Sequence, residues 1–79
     1  MNAHVDHLVT MTNDIAHFFT VESDRAKAAD SVAQHLKQFW DPRMRRRILA
    51  HLTAGGAGLE PLAAAGVRRL AELDHVTTA

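Results

Sequence analysis

Phe39-Trp40-Asp41-Pro42-Arg43-Met44-Arg45-Arg46-Arg47-Ile48-Leu49-Ala50-His51-Leu52 is the stretch from which the fold of this chain is read. Asp41 is a strong N-cap residue, because its carboxylate can accept from the free N–H groups of a first helical turn. Pro42 suits the first helical position, where its missing N–H would have had no partner. A helix is therefore predicted over 42–54. Four arginines crowd its first turn and a half, where the macrodipole is positive and disfavours cations. Local helix stability would place acids there, so these charges are expected to serve something outside their own helix.

On a helical wheel Arg43, Arg46 and Arg47 share a face with Ala50, while Met44, Ile48, Leu49 and Leu52 form the opposite, apolar face. Arg45 falls among the apolar set. An arginine there must snorkel, pair with an acid or meet a second protein; the alternative is a solvated basic face with Arg45 fraying near the helix start. Trp40 and Phe39 stand beside the cluster as possible aromatic anchors. The alternative for both is ordinary core, a role that suits Phe39 better than Trp40.

Working outward, Val5, Leu8, Met11, Ile15 and Phe18 recur at spacings of three and four, with Phe19 broadening the stripe, which predicts a helix over 4–19. Thr20 to Asp24 is a polar break with Ser23 as the N-cap candidate. A second helix over 24–39 follows, its apolar face made of Ala29, Val32, Ala33, Leu36, Phe39 and Trp40. Its alanine-rich first half rests on propensity more than on burial. The Asp-Pro step then forces a change of direction.

After the basic helix, Gly55-Gly56-Ala57-Gly58 suits a left-handed C-cap and a turn. A fourth helix is predicted over 61–73, with Leu62, Ala63, Gly66, Val67, Leu70 and Leu73 facing one way and Arg68, Arg69 and Glu72 the other. Gly66 costs about 1 kcal/mol against alanine in a helix, so its place in the apolar stripe implies close approach of a neighbouring element. No segment alternates with period two long enough to be a strand. The expected fold is all-α, a small bundle of about four short helices in a single domain, 1–79, with frayed ends at about 1–3 and 75–79.

Composition narrows the function. A chain of 79 residues buries only about 60 to 65% of its unfolded surface and is marginal without a staple. There is no cysteine, so disulfides and thiolate metal sites are excluded, and tight helix packing or association must supply stability. Nine basic and nine acidic side chains cancel, which argues against a general nucleic-acid binder; zero net charge is poor for the solubility of a free protein and unremarkable for a bound subunit. The balance is uneven: residues 1–40 carry five acids and three bases, residues 41–79 four acids and six bases. No run has the form of a signal peptide or reaches the roughly 20 apolar residues that span a bilayer, so a soluble, cytoplasmic protein is expected.

Candidate chemistry is thin. His4 and His7 stand one turn apart, but no third ligand recurs at a completing spacing, although Asp6 is adjacent; His17, His35 and His51 are scattered. The glycine run follows no strand and precedes no Gly-Lys-Ser/Thr, so it is a structural turn, not a phosphate cradle. Serines and acids form no nucleophile or acid–base constellation, and enzyme activity of the chain's own is not expected. The arginine cluster remains. It fits a protein contact, in which guanidinium forks meet carboxylates or carbonyls. It also fits phosphate contacts to nucleic acid, to which Arg68–Arg69 is the only addition.

Three stretches resemble a known family. They are Met11-Thr12-Asn13-Asp14-Ile15-Ala16-His17-Phe18-Phe19; Val32-Ala33-Gln34-His35-Leu36 running into Phe39-Trp40-Asp41-Pro42-Arg43-Met44-Arg45-Arg46; and Leu49-Ala50-His51-Leu52 followed by Gly55-Gly56, Gly58-Leu59 and Pro61-Leu62. Together they resemble the small delta subunit of soluble bacterial NAD-dependent formate dehydrogenases containing molybdenum or tungsten. The Phe-Trp-Asp-Pro-Arg-Met-Arg run is the specific part; the ends and the segment 20–31 match no pattern. The resemblance implies a non-catalytic accessory subunit that binds no cofactor and supports stability or maturation of the complex. It implies a catalytic alpha subunit with a molybdenum or tungsten pterin cofactor and iron–sulfur clusters, and beta and gamma subunits carrying FMN and further clusters toward NAD. With that reading, Trp40, Arg43, Arg45, Arg46 and Arg47 are the expected partner interface, docking on the alpha subunit, with Arg45 buried on assembly. The competing reading is a free-standing helical regulator or homodimer with weak nucleic-acid binding.

Overall fold

A computed structural model describes the backbone of residues 3–78 and the side chains of residues 5–74. The elements in order are α1 (Ala3–Phe18), a 3-10 turn (Phe19–Val21), α2 (Arg25–Phe39), α3 (Pro42–Thr53) and α4 (Pro61–Thr78), and no strand occurs among the described residues. The radius of gyration, 11.5 Å, is that of helices packed into one body. The all-α bundle expected from periodicity is therefore what forms. α4 runs past its expected end at 73. The side chains of the ends expected to fray, and of His4, lie outside the described residues.

Local chemistry sets most boundaries. Asp41 Oδ1 accepts from Met44 N at 2.9 Å with Pro42 opening α3. The cap of α2 is Asp24, not Ser23: its Oδ1 accepts from Ala26 N at 2.9 Å and Lys27 N at 3.2 Å, so a single carboxylate oxygen satisfies two orphan donors. α3 closes with a Schellman motif, in which Gly56 N donates to His51 O and Gly55 N to Leu52 O. Both glycines have positive φ, 124° at Gly55 and 67° at Gly56, where an L side chain would be strained.

The core is built on the α2–α4 pair. Ala28, Ala29, Val32, Ala33 and Leu36 of α2 are buried, against Leu62, Ala63, Val67 and Leu70 of α4. Gly66 lies at the point of closest approach: a Cβ there would stand 2.4 Å from Val32 Cγ1 and 2.7 Å from Val32 Cβ. The first half of α2, expected to be held by propensity, thus buries two alanines, because small side chains let the helix axes approach. α3 adds Ile48, fully buried, with Met44, Leu49 and Leu52 half-buried around it.

α1 packs with a different face from the one its large residues mark. Leu8, Val9, Thr12 and Ala16 are buried, Met11 and Ile15 only half, and Phe18 is 74% exposed. The buried line is rotated by roughly 70°, at 100° per residue, from the expected stripe. Small Thr12 and Ala16 admit the neighbouring helices, and the bulky residues are left at the edge. Thr12, the buried polar residue, loses nothing by this, since its hydroxyl donates to Leu8 O at 2.7 Å.

Candidate functional site

The α2–α3 corner decides where each member of the expected interface goes. Trp40 and Asp41 adopt extended conformations (φ −93°, ψ 140° and φ −71°, ψ 163°), which turn the chain between the two helices. That turn carries Trp40 inward, 6% exposed, while Phe39, in the last turn of α2, is left 66% exposed. The expected assignment of the two aromatics is thereby reversed. Trp40 is core, and the ring available to a partner is Phe39.

Arg45 is also spoken for within the chain. Its Nη1 donates to Lys37 O at 2.7 Å. That carbonyl belongs to the last turn of α2, where carbonyls lack intrahelical partners and the dipole is negative. A cation at the disfavoured start of one helix therefore closes the favourable end of the one before it. Arg45 is thus already half-buried by contacts within the chain. Its Nε is buried with no hydrogen-bond partner.

Arg43, Arg46 and Arg47 are different. All three are exposed, and among the described residues none of their side chains makes an ion pair or hydrogen bond. Arg43 and Arg47 line a cleft with His7, Leu8 and Met44. Arg46 is exposed but does not line that cleft.

Sequence periodicity missed what adjoins them. Rings of Phe18, Phe19, His35 and Phe39 form a row, with centroid separations of 5.1, 6.4 and 4.7 Å. Beside the row lies an apolar depression of about 500 Å³ between Met11, Ile15, His35, Phe39, Trp40 and Met44, with Asp14 at its rim. Met44 lines both this depression and the arginine cleft, so rings and guanidinium groups belong to one continuous face. Periodicity gives no signal for it: on the wheel Phe39 falls between the buried Ala28 and Val32 and is set apart only by standing in the last turn of α2.

The remaining candidates are consumed by structure. Asn13 Nδ2 donates to Gly58 O and Asn13 Oδ1 accepts from Glu60 N, both at 2.9 Å, clamping the α3–α4 loop to α1. His17 Nε2 meets Glu60 Oε1 at 2.6 Å, and His51 Nε2 meets Ala57 O at 2.7 Å. The glycine run is thus a pinned turn. Among the described residues no group of three His, Asp or Glu is placed to hold a metal. Arg69 bonds Asp30 at 2.8 Å and Glu72 at 2.9 Å. These two carboxylates, Asp30 the stronger, raise its pKa. The second basic pair is therefore half neutralised and stands on another helix from the cluster, which is not the continuous basic track that a phosphate backbone requires.

No described helix is long and apolar enough to cross a membrane. The family model for FdsD, the NADH-dependent formate dehydrogenase delta subunit, matches residues 7–67, a span that includes α3, the pinned loop and the whole of the face just described. No curated protein and no solved structure matches the chain.

Proposed function

Because the chain belongs to the NADH-dependent formate dehydrogenase delta subunit family, we propose that it is a non-catalytic accessory subunit. In this reading it binds the catalytic alpha subunit of a cytoplasmic formate dehydrogenase and stabilises the complex or assists its maturation. The observation that carries the reading is the exposed triplet Arg43, Arg46 and Arg47, unpaired at a helix start that repels it. Guanidinium forks held there are ready for carboxylates or carbonyl rows of another polypeptide.

The chemistry of formate oxidation then lies on the other subunits: a molybdenum or tungsten pterin and iron–sulfur clusters on alpha, FMN and further clusters toward NAD on beta and gamma. This chain has no cysteine for an iron–sulfur cluster. Its part is to hold surfaces together.

The test is co-purification of the assembled enzyme with Arg43→Glu/Arg46→Glu/Arg47→Glu. Loss of the chain from the complex is the expected result, with the isolated variant still helical. Wild-type yield of a complete complex would overturn the proposal.

A further inference from the structure

We propose that the groove between α1 and the last turn of α2 receives a helix of a partner subunit. That helix carries bulky apolar side chains opposite the ring row and a carboxylate opposite Arg43 and Arg47. The inference rests on the chain being a subunit of the complex and names the chemistry of what it grips.

Single exposed apolar residues need no explanation, but here they are contiguous. Phe18 and Phe39, 74% and 66% exposed, flank a ring row that continues into Met11, Ile15 and Met44. From His7 to Phe18 the face follows α1 for twelve residues, about 16 Å or three turns between the first and the last. Its walls are helices whose backbone groups bond within each helix. An extended segment would find no unpaired edge to add to, so recognition falls to side chains, and a helix presents them at matching intervals.

Charge selects the partner. Among the described residues that line this face Asp14 is the one carboxylate, and it pairs with neither Arg43 nor Arg47. Two copies meeting through it would set four guanidinium groups against two carboxylates. An acidic, amphipathic helix supplies what is lacking, and such complementarity fixes orientation as well as choice of partner.

Two measurements on the assembled complex test this. A photo-crosslinking benzoylphenylalanine at position 39 is expected to couple to a helix of another subunit, with Asp or Glu within two turns of the coupled apolar residue. Phe18→Ser/Phe39→Ser is expected to weaken retention in the complex about tenfold or more with unchanged circular dichroism. Coupling to a second copy, to lipid or to a non-helical segment, or no coupling, would overturn the groove proposal. Should the serine variant unfold, the crosslink decides alone. If the arginine reversal releases the chain but the serine variant and the crosslink leave no mark, the groove is wrong and the subunit reading stands. If the unaltered chain co-purifies with no oxidoreductase subunit, both fall.

Discussion

The α2–α4 seam and the face along α1 obey the same rules of helix amphipathicity and end differently. At the seam small residues let two helices approach until a single missing Cβ matters, and the charged rim closes on itself through Arg69, Asp30 and Glu72. Along α1 the large residues sit at the edge of the buried stripe, two rings face solvent and three arginines have no partner among the described residues. One region is finished by intramolecular contacts. The other has the composition of an interface, with aromatic and arginine side chains side by side. A chain this small cannot complete every face, so the contrast separates what holds the fold from what is offered outside it.

Four substitutions would break or sharpen that contrast. The largest effect on the chain itself is expected at Gly66→Val, which drives methyl groups into Val32 and adds β-branching within a helix; a loss of about 3 kcal/mol should appear in thermal denaturation. Val32→Ala in the same chain should return part of it, and additive losses would show that the two do not meet. Next, Asn13→Ala removes both bonds that pin the loop, about 1–2 kcal/mol at roughly 1 kcal/mol each. Amide exchange at Glu60 should rise with it; unchanged protection there would refute the clamp.

Arg45→Met follows. It deletes the bond to Lys37 O but also removes a stranded buried Nε, so the opposing effects leave a loss of about 1 kcal/mol or less in the isolated chain. Assembly with the other subunits should be unaffected; a defect in assembly alone would return Arg45 to the interface. The smallest change in chain stability belongs to the triple reversal of Arg43, Arg46 and Arg47 to glutamate. Acids suit a helix start, so the melting temperature of the free chain should hold or rise, by less than about 1 kcal/mol in stability. A clear fall would mean that the arginines serve the fold.

Much of this was legible in the linear chain because the causes are local. The Asp41–Pro42 start, the Gly55–Gly56 stop and the close approach at Gly66 each follow from one residue's backbone preference or missing side chain. The cap at Asp24 was misplaced by one residue, since Ser23 and Asp24 are both good caps and only the hydrogen bonds distinguish them. The exchanged roles of Phe39 and Trp40 could not be read at all. Both are large, apolar and adjacent, and which one points inward depends on the turn between α2 and α3.

By itself the sequence determined the four helices, their punctuation and the gathering of positive charge at the start of α3, because capping, periodicity and dipole repulsion act within a few residues. Only the tertiary structure decided which of those charges is spent and which is spare. Arg45 finds the end of a helix folded back beside it, while Arg43, Arg46 and Arg47 find solvent. A guanidinium group's partner is set by what lies within about 3 Å in space, and that distance is fixed by how the helices pack.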